Sequence, residues 1–278
     1  MEEREPWLHE RRWPEIKAYL QHDDVILLPV GSVEQHGPHL PVMTDSAEAI
    51  AVALGAGRRA AVLVAPPIWY GWTPHHMAYP GTITLRPETL TALIEDVCRS
   101  LIYHGFKRIL ILNGHRVANL PPIEIAVART RNITGAYVAL YDLALSVRCE
   151  MAQITSGELG AVGHACEDET SQMLYSYGHL VDMSQAQVAV GNPSSRFYQS
   201  GFNSPDPAQG PIDFVYRPWT REEFAEHSAP NQGVMGDPTK ASREKGERIF
   251  EAQVANVCDL IEISRGHKVK VKEFSIPL

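Results

Sequence analysis

Four short apolar runs, separated by helix-like stretches, constrain the fold of this chain more than any other feature. Val25 to Val30 (VILLPV), Ala61 to Ala65 (AVLVA), Arg108 to Leu112 (RILIL) and Gly135 to Tyr141 (GAYVALY) have strand length and lack the polar alternation of a half-exposed strand. Strands that are apolar on both faces belong to parallel sheets covered on each side. The intervening segments supply the covers. Trp13 to Leu20 reads as a short helix with Pro14 in its first turn, and a helical stretch runs from about Ser46 to Leu54. Pro87 to His104 carries apolar residues at helical spacing, with Gly105 where a C-cap belongs, and Pro122 to Arg131 is helix-like. Gly55 to Ala60 (GAGRRA) matches a dinucleotide-binding pattern on paper, yet it follows a helix and reads as a helix-to-strand turn. Alternating strands and helices predict a wound α/β sheet with helices on both faces, in one domain spanning residues 1–278.

Beyond the fourth run the signal weakens. From about Gly191 to Pro238 the chain turns to Gly, Pro, Ser, Asn and aromatics, an irregular stretch expected to act as a lid or interface arm. Helical periodicity returns over Thr239 to Ser264, with Asp237-Pro238 as a start signal, and the final KVKVKEFSIPL reads as an edge strand or a tail. A formal net charge of −8 opposes nucleic acid or an anionic membrane as the main partner. No apolar run approaches the roughly 18 residues of a membrane span, and the charged N-terminus lacks a secretory core. Four scattered cysteines with no CxxC pair argue against a disulfide framework or thiolate zinc site, so a cytoplasmic setting is expected.

The chemistry concentrates in three clusters. Immediately after the first run comes GSVEQHGPHLPVMTDS, residues 31–46. Glu34 and His36, two apart, project from one face of extended backbone, and Asp45 lies within reach of a folded loop. Carboxylate with imidazole suits zinc, manganese or iron; a solvated loop would also explain the pair. His115, in Asn113-Gly114-His115 after the third run, occupies the equivalent strand end, where α/β sheets gather ligands. In GHACEDETS, residues 163–171, His164, Glu167, Asp168 and Glu169 crowd together, as acids do at a helix start or around a metal. Two divalent ions so held could activate water and polarise a carbonyl without a serine or cysteine nucleophile. No GxSxG, HExxH or Walker loop competes, and Cys166 reads as a spectator thiol. The loop PPIWYGWTPHHMAYPGTITL, with Trp69, Tyr70, Trp72, His75, His76 and Tyr79, fits either an interface plug or a pocket wall; Trp72, His76 and Tyr79 are the pocket candidates.

These pieces together resemble the creatininase (creatinine amidohydrolase) family. The matching segments are LLPVGSVEQHGPHLPVMTDS, YPGTITL, HGFKRILILNGH, GHACEDETS and GVMGDPTKASREKGERIFEA, in the family's order. The resemblance implies a three-layer α/β/α sandwich, two divalent metal ions per subunit, hydrolysis of a cyclic amide or related C–N bond of a small polar substrate, and a homo-oligomer, often a hexamer. It places metal ligands at Glu34, His36, Asp45 and His115, with Asp45 bridging and Glu169 completing the set. Glu167 is then an acid or base behind the ligands, and His164 handles substrate or protons. One departure stands out: family members read NGHGGN, or carry a glutamate two residues after the histidine, whereas this chain reads NGHRVAN. Arg116 enters the catalytic loop and could meet an anionic oxygen, while Val117 leaves creatinine doubtful as substrate. A formamide hydrolase, a ring-opening hydrolase of diketo-inositols and an inactive metal-binding scaffold are the alternatives.

Overall fold

The computed structural model describes residues 4–156, 161–189 and 218–276. The chain opens with α1 (Trp13–Tyr19), β1 (Val25–Val30), α2 (Thr44–Ala60) and β2 (Leu63–Val64). It continues through α3 (Pro87–His104), β3 (Arg108–Asn113), α4 (Arg116–Thr134) and β4 (Tyr137–Asp142). Two short helices, α5 (Leu143–Ser146) and α6 (Arg148–Ile154), precede α7 (Glu167–Tyr177), α8 (Arg221–Ser228) and the long α9 (Arg243–Gly266).

Among the described residues the strands form one parallel sheet in the order β2-β1-β3-β4. Alternate residues feed two separate cores. Ile26, Leu28, Ile109, Ile111 and Val138 face α3 and α4, meeting Leu90, Ile94, Cys98, Ile102, Ile123 and Ala126. Val25, Leu27, Leu110 and Leu112 face the opposite way, onto α2 and α9. Helix α2 answers with Ala49, Val52, Ala53 and Ala56, and α9 with Val254, Val257 and Ile261; both follow the three-and-four spacing of a helix with one buried stripe. Each fully buried Leu or Ile contributes about 1.5–3 kcal/mol relative to exposure, so neither layer is dispensable. The expected α/β/α sandwich is present.

The site follows from the strand order. Chain leaving β1 turns through α2 to β2 on one side, and chain leaving β3 turns through α4 to β4 on the other. The loops part at the carboxyl ends of β1 and β3, which opens a crevice there. Two glycines then let α2 lie directly on both strand ends. A Cβ on Gly31 would stand 2.4 Å from the Ser46 Cα, and one on Gly114 would stand 2.1 Å from the Asp45 carbonyl oxygen.

Several expectations need correction. Residues 55–60 are not a turn: α2 runs through Ala60, and the chain reverses at Ala61 in a left-handed conformation. The expected strand over 61–65 shrinks to Leu63–Val64. Helix α4 starts at Arg116, six residues before the expected Pro122, with Val117 outside helical geometry and Pro121 and Pro122 inside the helix. The final helix is broken: Asp237 caps a 3-10 turn at Pro238–Lys240, and Ser242 caps α9 separately by accepting from the Lys245 amide. The tail pairs with no strand among the described residues; the Lys272 amide donates to the Thr134 carbonyl. Of the expected irregular arm, residues 191–217 lie outside the described residues, while α8 occupies Arg221–Ser228. A capping box explains it, since the Thr220 side chain accepts from the Glu223 amide and the Glu223 carboxylate accepts from the Thr220 amide. No described helix is long and apolar enough to cross a membrane.

Candidate metal centre

The crevice is lined by donors from four segments. Glu34 and His36 leave β1, Asp45 is the second residue of α2, His115 is the N-cap of α4, and Glu169 is the third residue of α7. Three helix N-termini therefore converge on the same place, and each presents roughly half a positive charge to the acids. His36 Nε2 lies 3.1 Å from Asp45 Oδ1 and 3.6 Å from Glu169 Oε2. On the other side His115 Nδ1 lies 3.1 Å from Asp45 Oδ2 and 3.3 Å from Glu34 Oε2. Glu34, Asp45 and His115 have donor atoms within 4.8 Å of one another, as do His36, Asp45 and Glu169, so Asp45 belongs to both groups. Glu34, His36 and His164 form a third such group.

Two observations show that this set suits a cation. His36 Nε2, Asp45 Oδ2 and Glu34 Oε1 are buried and make no hydrogen bond despite their proximity. All three residues belong to donor sets whose ligand atoms lie within 4.8 Å of one another. The charge balance agrees: Glu34, Asp45, Glu48, Asp168 and Glu169 are all at or near the same cluster, with histidines as the compensating groups. Burial, then Glu48, Asp168 and Asp45, push the Glu169 carboxyl well above the usual range. Buried carboxylates without partners are costly, and divalent cations remove that cost.

The ligands are held from behind. Ser32 Oγ donates to Glu34 Oε2 at 3.0 Å, and the Ala165 amide donates to Glu169 Oε2 at 2.6 Å. His36 Nδ1 donates to the Glu34 carbonyl at 3.2 Å, which leaves Nε2, 3.1 Å from Asp45 Oδ1, as the nitrogen a cation would take. Asn113 Nδ2 donates to the His115 carbonyl at 2.7 Å. Asn119 straps the neighbouring loops together. Its Nδ2 donates to Gly31 O and Asn113 Oδ1, and its Oδ1 accepts from the Trp72 amide.

The remaining predicted residues divide. His76 is brought in: Nε2 sits 3.3 Å from Glu34 Oε1, while Nδ1 is 2.8 Å from the Gln35 amide nitrogen, so Nδ1 accepts and Nε2 carries the hydrogen. His164 stacks between His36 and His76, with centroids 4.3 Å from each. Its Nε2 lies 2.7 Å from the Gln35 carbonyl oxygen and 2.8 Å from the Gln35 side-chain nitrogen, and its Nδ1 faces Glu34 Oε1 at 3.7 Å. Burial holds both rings neutral, well below the usual histidine range. Tyr79 is beside the site, bonded to Ser228 Oγ at 2.6 Å. The Trp72 ring is not: it packs against the core between the sheet and α3–α4, and only the Trp72 backbone reaches the site, beside His115. Arg116 is held by Asp142, Nε to Oδ2 at 3.0 Å. Glu167 turns away entirely, to Ser156 and Lys245.

Sequence reasoning missed Glu48, Gln35 and Phe224. Glu48 follows Asp45 by three residues and so shares its helix face, a signal that was available. Phe224 gave none; α8 brings it edge-on to His76 at 4.4 Å.

Comparison with known proteins agrees with this geometry. The family model described as creatinine amidohydrolase matches residues 9–261. Creatinine amidohydrolase of Pseudomonas putida is 30% identical over 267 residues, covering 91% of this chain and 94% of its own. A mycofactocin precursor peptide peptidase of Mycolicibacterium smegmatis is 31% identical over 244 residues, covering 86% of this chain and 84% of its own. Two solved creatininase structures, described as Mn and as a mutant of Zn-Zn type, match with TM-scores of 0.73 and 0.71. Each is 27% identical and covers 94% of this chain and 98% of its own. The fold and donor set define a class of α/β hydrolase with candidate ligands for divalent metal. The chain belongs to the creatininase family.

Metal uptake must release protons. In the metal-free protein burial lowers the His115 pKa, but Glu34 and Asp45 outweigh it and raise the value to about 9. Asp168, behind the ligands, is pushed up to about 6 by burial. A ligand that must lose a proton binds metal less well as pH falls. Apparent affinity is therefore expected to rise with pH up to about 9. Calorimetry in buffers of different ionisation enthalpy should show net proton release at pH 7; none would contradict the assignment of His115.

Proposed function

We propose that the chain hydrolyses a C–N bond of the amide class in a small polar substrate, and that two donor groups with Asp45 in common would hold two divalent cations. The observation that carries this reading is the membership of Asp45 in both donor groups, one with Glu34 and His115 and one with His36 and Glu169. A cation pair supplies a carbonyl-polarising Lewis acid and a water that ionises near neutral pH. The chain's own residues do the rest. Asp45 fixes the two positions relative to one another, and Ser32 and the Ala165 amide orient the outer carboxylates. His164, neutral and with Nδ1 facing Glu34, would take the proton that a cation-held water loses. The same His164 proton would then pass to the departing nitrogen, while neutral His76, with Nε2 3.3 Å from Glu34 Oε1, holds that carboxylate in place. Phe224, fully buried over the imidazoles, keeps bulk water from this relay.

Val117 stands where creatininase carries its catalytic-loop glutamate, so creatinine is not the expected substrate. The peptidase relative favours a peptide bond as a second reading, within the same chemical class. The test is a screen of metal-loaded protein against creatinine, other cyclic amides, short peptides, N-formyl compounds and keto-inositols. Chelator-sensitive C–N cleavage with negligible creatinine turnover is the expected result. Turnover confined to keto-inositols would replace it with C–C ring opening.

A further inference from the structure

Glu167 and Glu169 are two residues apart on α7, yet they serve different neighbours. Glu167 is fully buried, and both its oxygens are occupied. Oε1 accepts from the Ser156 amide at 2.9 Å and from Lys245 Nζ at 2.6 Å, and Oε2 accepts from Ser156 Oγ at 2.6 Å. Lys245 Nζ also donates to the Lys240 carbonyl at 2.8 Å. One carboxylate thus ties together the exit of α6, the first turn of α9 and the first residue of α7. A carboxylate saturated by charged and neutral donors in this way is a fastener, since no oxygen is left to take a proton from substrate.

What it fastens is the loop before α7. Within that loop Ala165 adopts a left-handed conformation, and its amide donates to Glu169 Oε2. The Asp168 amide donates to the Ala161 carbonyl at 3.1 Å, so the loop closes on the helix it feeds. The orientation of Glu169 therefore depends on a backbone shape that the Glu167 contacts hold in place. Glu34, Asp45 and His115 come from β1, α2 and α4 and have no such dependence.

We propose that Ser156, Glu167 and Lys245 form a buckle that sets the affinity of the cation position made by His36, Asp45 and Glu169, without acting on the position made by Glu34, Asp45 and His115. The proposal rests on the two-cation reading. These three are positioning residues and touch neither cation nor substrate.

The test is titration of metal-free full-length protein with Mn²⁺, following stoichiometry by elemental analysis and cation coupling by electron paramagnetic resonance. Wild type is expected to bind two equivalents and show an exchange-coupled spectrum. Ser156→Ala, which keeps the amide bond to Glu167, and Lys245→Met should each weaken one equivalent about 10–100-fold, the range for partners behind metal ligands. The spectrum should then become that of an isolated ion, and Lys245→Arg should restore much of the coupling. Equal weakening of both equivalents, or no change in either, overturns the buckle while leaving two cations intact. A wild type that binds one equivalent overturns the two-cation reading and the buckle with it. Should Lys245→Met fail to fold, Ser156→Ala alone decides between these outcomes.

Discussion

Asp45→Ala is expected to leave the chain folded and unable to hold either cation. Asp45 offers Oδ1 toward His36 and Oδ2 toward His115, at 3.1 Å in each case. Although burial pushes its carboxyl up, the two histidines hold it net low, so it is charged and ready for metal throughout the neutral range. No neighbour can replace it. Glu48 shares its helix face, but among the described residues no donor group within 4.8 Å includes Glu48. Losing the stabilisation that a cation gives a developing oxyanion is worth about 4 kcal/mol, or roughly 10³-fold in rate. Metal analysis and turnover should fall together. The thermal upshift that excess metal gives wild type, about 2.7 kcal/mol at a hundredfold excess over the dissociation constant, should also vanish. A variant that keeps one equivalent would show that Asp45 serves a single position.

The second large effect is expected from Gly114→Ala. The added Cβ would stand 2.1 Å from the Asp45 carbonyl oxygen and 3.0 Å from its carbonyl carbon. Backbone cannot swing aside as a side-chain tip does, so α2 and the end of β3 must separate. Overpacking of this kind costs about 3 kcal/mol or more, a fall in melting temperature of roughly 5 °C or more for a chain of this size. Because the displaced residues flank His115 and Asp45, metal binding should weaken in the fraction that still folds. A melting temperature within about 2 °C of wild type would mean that the close contact is not obligatory.

Much of this was legible in the sequence, for identifiable reasons. VILLPV and RILIL announce buried parallel strands because nothing polar interrupts them, and the residues after a parallel strand fall at the carboxyl edge whatever their identity. Glu34, His36, Asp45 and His115 could be placed on that basis. Glu167 could not be separated from Glu169 by composition. Two residues on a helix differ by about 200° in direction, and the phase of α7 is fixed by its packing against α9, which the local sequence does not encode. Trp72 illustrates the same limit: an aromatic-rich loop is visible, but whether a ring faces crevice or core depends on the neighbouring helices. The start of α4 was obscured by Pro121 and Pro122, which read as a helix opening when they lie inside one.

The scatter of the donors along the chain has a consequence for biogenesis. Glu34, His36 and Asp45 are synthesised early, His115 some seventy residues later and Glu169 later still. The strands between them pair in parallel, an arrangement that requires distant segments to meet and is slow to form. A nascent chain therefore presents at most a fragment of the site, too weak to capture a scarce metal or to trap a wrong one. Selection among competing ions is deferred to the finished protein, whose fixed cavity, rather than the order of encounter, decides what is kept.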